Sequence, residues 1–229
     1  MIKNIVFDLG GVIMDLDTDR AVSRFVEIGV KNAPELVNAY QQKGVFLELE
    51  EGLADRETFC KKLSEYAGKE ISDEEALNAW RGFITDIPQY KLDYILDLRS
   101  KYKLYLLSNT NPFILEWART SSFTEAGRPI TAYFDKIYAS YEVGITKPNK
   151  EIFEFMLKDS GMIPSETLFI DDGIRNVEMA SSMGIVTYCP ENKEDWRAAV
   201  DSFLVCHKTN YWYVGKNRFC FLLTIVLSW

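Results

Sequence analysis

Three apolar, β-prone runs in this chain end in side chains that can do chemistry. Ile5-Val6-Phe7 runs into Asp8 and then the glycines Gly10 and Gly11. Lys103-Leu104-Tyr105-Leu106-Leu107 runs into Ser108-Asn109-Thr110-Asn111, and Leu168-Phe169-Ile170 into Asp171-Asp172-Gly173. One strand that stops at Asp before a glycine turn is ordinary turn chemistry. Three such ends carry more, because in an open parallel sheet they lie along one edge, where ligands bind. Between the second and third falls Gly144-Ile145-Thr146-Lys147-Pro148, a lysine beside a proline placed to open a helix. Carboxylates from two strands, a hydroxyl and a lysine suit Mg²⁺ and a phosphoryl group. Magnesium prefers oxygen ligands and keeps several waters beside one or two carboxylates. A carboxylate nucleophile can form an acyl phosphate, which splits hydrolysis into two easier steps. The phosphoryl oxygens need positive charge and donors, which the metal, Lys147 and Ser108 could supply. Plainer readings stand beside these: Lys147 as a solvated surface residue, and Ser108 as a helix N-cap.

The elements that must hold these residues alternate. A first strand ends at Asp8. Residues from about 15 to 95 then read as helical, with apolar faces at Ala21-Val22 and Phe25-Val26, Leu36 to Tyr40, Phe59 to Tyr66 and Glu74 to Phe83. Ser72 and Glu75 form a capping-box signature. No strand signal of any length occurs in this stretch, which reads as a helical insert between the first two strands. A helix over 89–100, a second strand ending at Ser108, a weaker third near 133–139, a helix from Pro148 to Gly161, a fourth strand at 168–170, a helix through Val177 and Ala180 and a last strand at 185–188 follow. This order predicts an α/β fold, a parallel sheet covered by helices on both faces. After about residue 204 a polar stretch leads into the apolar run 219–229, too short for a helical membrane span.

Composition narrows the function. A net charge of −8 argues against nucleic acid or an anionic membrane as partner. The cysteines Cys60, Cys189, Cys206 and Cys220 are widely spaced, which predicts reduced thiols and a cytoplasmic setting. No signal peptide fits ahead of Asp8, and no run reaches the length of a membrane span. The single histidine, His207, leaves histidine-based triads and metal sites with almost nothing to use.

Asp8-Leu9-Gly10-Gly11-Val12, Leu107-Ser108-Asn109-Thr110, Lys147-Pro148 and Ile170-Asp171-Asp172-Gly173 resemble, in order, the four motifs of the haloacid dehalogenase-like (HAD) hydrolase superfamily, over roughly residues 1–203. Within it the chain most resembles the bacterial α-D-glucose-1-phosphate phosphatase-like branch. The resemblance implies a Rossmann-like core over residues 1–14 and 96–203, a helical cap over 15–95 and a tail, 204–229, of no assigned role. It implies that Asp8 is the nucleophile and a Mg²⁺ ligand, that the Gly10 carbonyl and Asp172 are further ligands, and that Asp171 ligates the metal or holds a water. Ser108 would hydrogen-bond the phosphoryl group with help from the Asn109 backbone, Lys147 would neutralise the phosphoryl group and Asp8, and Asn176 would steady the acidic loop. The cap would close over the site and choose the substrate.

One departure stands out. Most phosphatases of this superfamily carry a second aspartate two residues after the nucleophile, which protonates the leaving group; here that position is Gly10. The branch above shares this glycine. Without that acid the chain should be a slower enzyme, or one that favours esters whose leaving group departs easily, such as a hexose 1-phosphate or an acyl phosphate. Asp15 or Asp17 could stand in, or could simply begin the linker. Arg20, Phe46 and Trp80 could line the cap's inner face, although core packing suits Trp80 and solvent suits Arg20. The expected function is hydrolysis of a small phosphorylated metabolite by a monomer or homodimer. The alternatives are a domain that binds a phosphometabolite or a protein without turnover, and a 2-haloacid dehalogenase.

Overall fold

The computed structural model describes residues 1–38 and 42–206. It opens on β1 (Asn4–Phe7). A short β2 (Asp15–Leu16) leads into helices α1 (Thr18–Glu27), α2 (Ala33–Leu36), α3 (Val45–Glu50), α4 (Arg56–Ala67) and α5 (Asp73–Trp80), and the chain returns through β3 (Ile84–Asp86). Then come α6 (Gln89–Leu98), β4 (Lys103–Ser108), α7 (Pro112–Ala118), β5 (Lys136–Ala139), α8 (Ser140–Val143), α9 (Lys150–Ser160), β6 (Thr167–Ile170), α10 (Ile174–Ser182), β7 (Val186–Tyr188) and α11 (Arg197–Cys206).

The main sheet has the order β5-β4-β1-β6-β7 with every pairing parallel. β1 is the central strand: Phe7 pairs with Leu106 on one side and with Ile170 on the other. The residues that follow those pairs therefore emerge side by side at the point where the strand order reverses. Both faces of the sheet are covered, and the buried residues alternate between them as the pleat requires. Ile5, Phe7, Leu104, Leu106, Leu168 and Ile170 share a core with Leu92 and Ile95 of α6 and with Val200 and Phe203 of α11. Val6, Leu107 and Phe169 pack with Ile152, Phe153 and Met156 of α9.

The helical segment between β2 and β3 follows its local signals. Asp17 caps α1 by accepting from the Arg20 N–H. Asp55 caps α4, and Gly68 ends it in the left-handed conformation. Ser72 and Glu75 make both arms of the capping box on α5. Its interior is aromatic: Phe25 meets Phe46 edge-on at 4.9 Å, Phe46 meets Phe59 at 5.1 Å, and Trp80 lies 5.5 Å from both Phe25 and Phe46.

Three sequence expectations need correction. Strands do occur between 15 and 95, because β2 and β3 pair antiparallel at the root of the helical segment; two and three residues are too few to show a period of two. The helix after Pro148 starts at Lys150 with Asn149 as its N-cap, since Asn149 first turns back to Thr146. Helix α11 was not anticipated. It runs to Cys206 and buries Phe203 and Leu204, the second of which the sequence reading assigns to the tail. Just before it, the fully buried Trp196 donates its indole N–H to the Val12 carbonyl at 2.8 Å and lies 5.4 Å from Phe7. Tyr40, His207 and the apolar run 219–229 lie outside the described residues. Cys60 and Cys189 form no disulfide, and no helix among the described residues is long and apolar enough to cross a membrane.

Candidate active site

Asp8 follows the last residue of β1 and donates its backbone N–H to the Ile170 carbonyl of β6. The chain then folds tightly back: Ile13 and Met14 both donate to the Leu9 carbonyl, and Gly11 to Met14. Gly11 has φ +71°, and a Cβ there would lie 2.1 Å from Asp172 Oδ2, so glycine is what lets the two acidic loops approach. At Gly10 the limit is different. A Cβ would meet Leu16 Cδ1 at 2.8 Å, and Leu16 fills the space where a side chain at position 10 would point.

Lys147 is the hub. Its ammonium reaches Asp171 Oδ2 at 2.6 Å, the Leu107 carbonyl at 2.8 Å and Asp8 Oδ1 at 2.9 Å. Of these, the contact to Asp8 is an ion pair out of line for a hydrogen bond, which leaves Asp8 Oδ1 without a hydrogen-bonded partner. Asn109 clamps the Lys147 backbone from both sides: its Oδ1 accepts from the Lys147 N–H at 2.7 Å, and its Nδ2 donates to the Lys147 carbonyl at 2.8 Å. Asp171 is fully buried and is fixed on its other oxygen by the Gly173 N–H at 2.8 Å and Asn176 Nδ2 at 2.9 Å. Asn176 thus holds the acidic loop as anticipated.

The charges are crowded. Carboxylate oxygens of Asp8, Asp171 and Asp172 lie within 4.8 Å of one another, three acidic groups against the one ammonium of Lys147. Burial raises Asp8 to about 6, with Lys147 pulling it down and Asp171 pushing it up. Burial, then Asp8 and Asp171, raise Asp172 to about 7. For Lys147, desolvation opposes the charge, but Asp171 and Asp8 together hold the ammonium above its ordinary range. Anions pressed together in a low-dielectric site, bearing oxygen ligands only, fit a hard divalent cation such as Mg²⁺.

A cavity opens on this edge. Asp8, Gly10, Ser108, Asn109, Lys147 and Asp172 line it from the sheet side. Ser108 is 2% exposed, and its hydroxyl makes only a 3.4 Å contact to the Asn109 carbonyl. It is not the helix cap. Asn111 caps α7 by accepting from the Ile114 N–H, while Ser140 pins Thr110 through both its N–H and its carbonyl. Gln42, Glu50, Trp80 and Phe83 line the opposite wall. Trp80 faces the cavity as well as the aromatic core, and its buried indole N–H has no hydrogen-bond partner among the described residues. Phe46 is entirely core, and Arg20 is exposed and donates to the Ile84 carbonyl.

Neither candidate stand-in for the missing acid reaches the cavity. Asp15 pairs with the fully buried Lys91 at 2.9 Å, and Asp17 is occupied at the start of α1. The residue that sequence reasoning missed is Glu50, 7% exposed, on the cavity wall. Among Glu48, Glu50 and Glu51 it reads as one of several solvated acids. The available signal is its spacing, one helical turn after Phe46 and on the same buried face.

Comparison with known proteins agrees with this geometry. The haloacid dehalogenase-like hydrolase family matches residues 2–184. The chain is 51% identical over 197 residues to D-ribitol-5-phosphate phosphatase of Bacteroides thetaiotaomicron, covering 86% of this chain and 96% of that one. Among solved structures it is similar to a predicted HAD-like family hydrolase from Porphyromonas gingivalis, with a TM-score of 0.85, 47% identity and coverage of 89% and 98%. It is also similar to a HAD family enzyme of Bacteroides thetaiotaomicron in complex with magnesium and inorganic phosphate, with a TM-score of 0.80, 42% identity and coverage of 87% and 99%. The resemblance to L-2-haloacid dehalogenase of Xanthobacter autotrophicus, at 17% identity and a TM-score of 0.54, extends to the fold alone. The chain belongs to the haloacid dehalogenase-like hydrolases.

Proposed function

We propose that this protein is a Mg²⁺-dependent phosphatase of small phosphorylated metabolites, a sugar or sugar-alcohol phosphate, acting through an aspartyl-phosphate on Asp8. The observation that carries the reading is the Lys147 ammonium set between Asp8 and Asp171, with Asp172 beside them at the mouth of one cavity. Asp8 attacks phosphorus; its pairing with Lys147 keeps it ionised despite burial. Lys147 also meets the charge of the arriving phosphoryl group, and the Ser108 hydroxyl hydrogen-bonds one of its oxygens. Asp171, held by Gly173 and Asn176, positions Lys147, while Asn109 fixes the backbone that carries it. Asp8, Asp172 and the Gly10 carbonyl would hold the magnesium, which when bound offsets the negative charge between nucleophile and phosphoryl group. The helical segment, residues 15–95, would act as the cap whose wall selects the leaving group.

The relative's substrate, D-ribitol 5-phosphate, directs the choice of ester toward a terminal polyol phosphate, with the hexose 1-phosphate implied by the sequence as its competitor. The test is phosphate release from both, together with a nucleoside monophosphate and p-nitrophenyl phosphate, with Mg²⁺ or with EDTA, in wild type and Asp8→Asn. The expected result is turnover that needs Mg²⁺, disappears in Asp8→Asn and is fastest on one of the sugar-type esters. Folded protein that binds Mg²⁺ and releases phosphate from none of them would leave a binding domain instead.

A further inference from the structure

Hydrolysis of an alkyl phosphate expels an alkoxide unless a proton arrives as the P–O bond breaks. At position 10 there is no side chain to bring one, and Leu16 occupies the space. Among the described residues, the ionisable side chains lining the cavity are Asp8, Glu50, Lys147 and Asp172. The Lys147 ammonium is already engaged by Asp171, the Leu107 carbonyl and the charge of Asp8, and Asp8 and Asp172 belong to the nucleophile and the metal on the reading above. Glu50 is left. It stands on the wall facing the sheet edge, where the leaving group of an ester bound at Asp8 would lie, and its carboxyl has no hydrogen bond or ion pair among the described residues.

Its placement is fixed by the core as well as by its own helix. The turn after Glu50 is pressed onto the strand-β5 side of the site: Gly52 has φ +69°, and a Cβ there would lie 2.3 Å from the Tyr141 carbonyl. The neighbouring Glu51 accepts from the Thr146 hydroxyl at 3.5 Å, immediately before Lys147. The end of α3 is therefore docked against the loop that carries the catalytic lysine.

We propose that Glu50 is the general acid of this enzyme, replacing from the helical segment the group that Gly10 cannot provide; the proposal rests on the phosphatase reading of the site. In the first step an Asp8 oxygen forms a bond to phosphorus. The bond from phosphorus to the leaving oxygen breaks, its electron pair stays on that oxygen, and the Glu50 carboxyl delivers the proton that makes it an alcohol. In the second step a water oxygen attacks phosphorus and releases Asp8, and the Glu50 carboxylate takes the water's proton, which restores the acid. Burial, reinforced by the charge of Asp8 and of Glu51 and opposed by Lys147, raises Glu50 to about 8, consistent with a carboxyl that holds its proton near neutrality.

The test compares esters that differ in their need for a proton. With Mg²⁺ present, kcat/KM for D-ribitol 5-phosphate and for p-nitrophenyl phosphate is measured in wild type, Glu50→Gln and Glu50→Asp across pH. Glu50→Gln should lose about 10²–10⁴-fold on the polyol ester. Its loss on the aryl ester should be at least about tenfold smaller, because nitrophenolate departs without a proton. The alkaline fall of the wild-type polyol profile should vanish in Glu50→Gln, and Glu50→Asp should retain intermediate activity on the polyol ester. Equal losses on the two esters, or an alkaline limb unchanged in Glu50→Gln, would make Glu50 a packing residue and overturn the proposal. If Glu50→Gln does not fold, the same ratio read in Glu50→Asp decides. Wild type inactive on both esters would overturn the phosphatase reading instead, an outcome distinct from either.

Discussion

The two walls of the cavity are built on opposite plans. On the sheet side the groups that hold the site together are tied to fixed partners, while Asp8 Oδ1 and the Ser108 hydroxyl face the cavity: the Lys147 ammonium lies against three oxygens, Asp171 has three donors, and Asn109 makes two bonds to the Lys147 backbone. Across from it the helical segment rests on a cluster of Phe25, Phe46, Phe59, Trp80 and Phe83, held by non-directional packing; of the polar groups it brings, the Gln42 amide is bonded to the Asn38 backbone, while the Glu50 carboxyl and Trp80 Nε1 have no hydrogen-bond partner among the described residues. The difference matches two kinds of work. A phosphoryl group has the same shape in every ester, so its site can be rigid and saturated. Leaving groups vary, and a wall of aromatic packing around a few unsatisfied polar atoms can be re-cut without disturbing the chemistry opposite.

This division can be broken from either side. The largest effect should come from Lys147→Met, which leaves Asp8, Asp171 and the Leu107 carbonyl without their cation. Removing one partner of a buried ionic cluster costs about 3–5 kcal/mol, to be read by urea unfolding of the metal-free protein, and turnover of every ester should fall together. Phe46→Ala should cost a similar or slightly smaller amount, about 3 kcal/mol, through the cavity it opens. In the fraction that remains folded, however, the order of preferred esters should change, whereas Lys147→Met should slow all of them alike. If Phe46→Ala scales every ester equally, the helical wall plays no part in selection.

A third effect is on stability against pH, where the sign is what discriminates. A carboxyl whose folded value is raised from 4.5 to about 8 binds more protons folded than unfolded in that window. Its contribution is therefore fully present below about 4.5 and is lost as pH rises toward 8. In metal-free protein Glu50→Gln should consequently become more stable relative to wild type as pH rises through that range. A difference that is flat with pH would mean that Glu50 ionises in the folded state as easily as in the unfolded one.

What could be read from the sequence divides along the same line. The sheet edge was legible because each strand is an apolar run that stops at a polar residue, and the pleat and parallel pairing then bring Asp8, Ser108 and Asp171 together without further information. The helical wall was not. Glu50 lies between Glu48 and Glu51, and only the tertiary packing that buries Phe46 turns it inward. Strands β2 and β3 are too short for periodicity, and Asn111 rather than Ser108 caps α7 because the chain stays extended at Asn111 and the helix begins only at Pro112. Likewise Asp15 offers a carboxylate at a suggestive distance in sequence, but the buried Lys91 takes it.

The most direct test of the account is to find the phosphoryl group on the protein. Wild type and Asp8→Asn would be mixed with D-ribitol 5-phosphate and Mg²⁺, quenched in acid within the first turnover and mapped by peptide mass spectrometry. The account predicts a phosphoryl adduct on the peptide containing Asp8 in wild type, and neither adduct nor turnover in Asp8→Asn. Steady turnover without an adduct, together with activity that survives in Asp8→Asn, would contradict it.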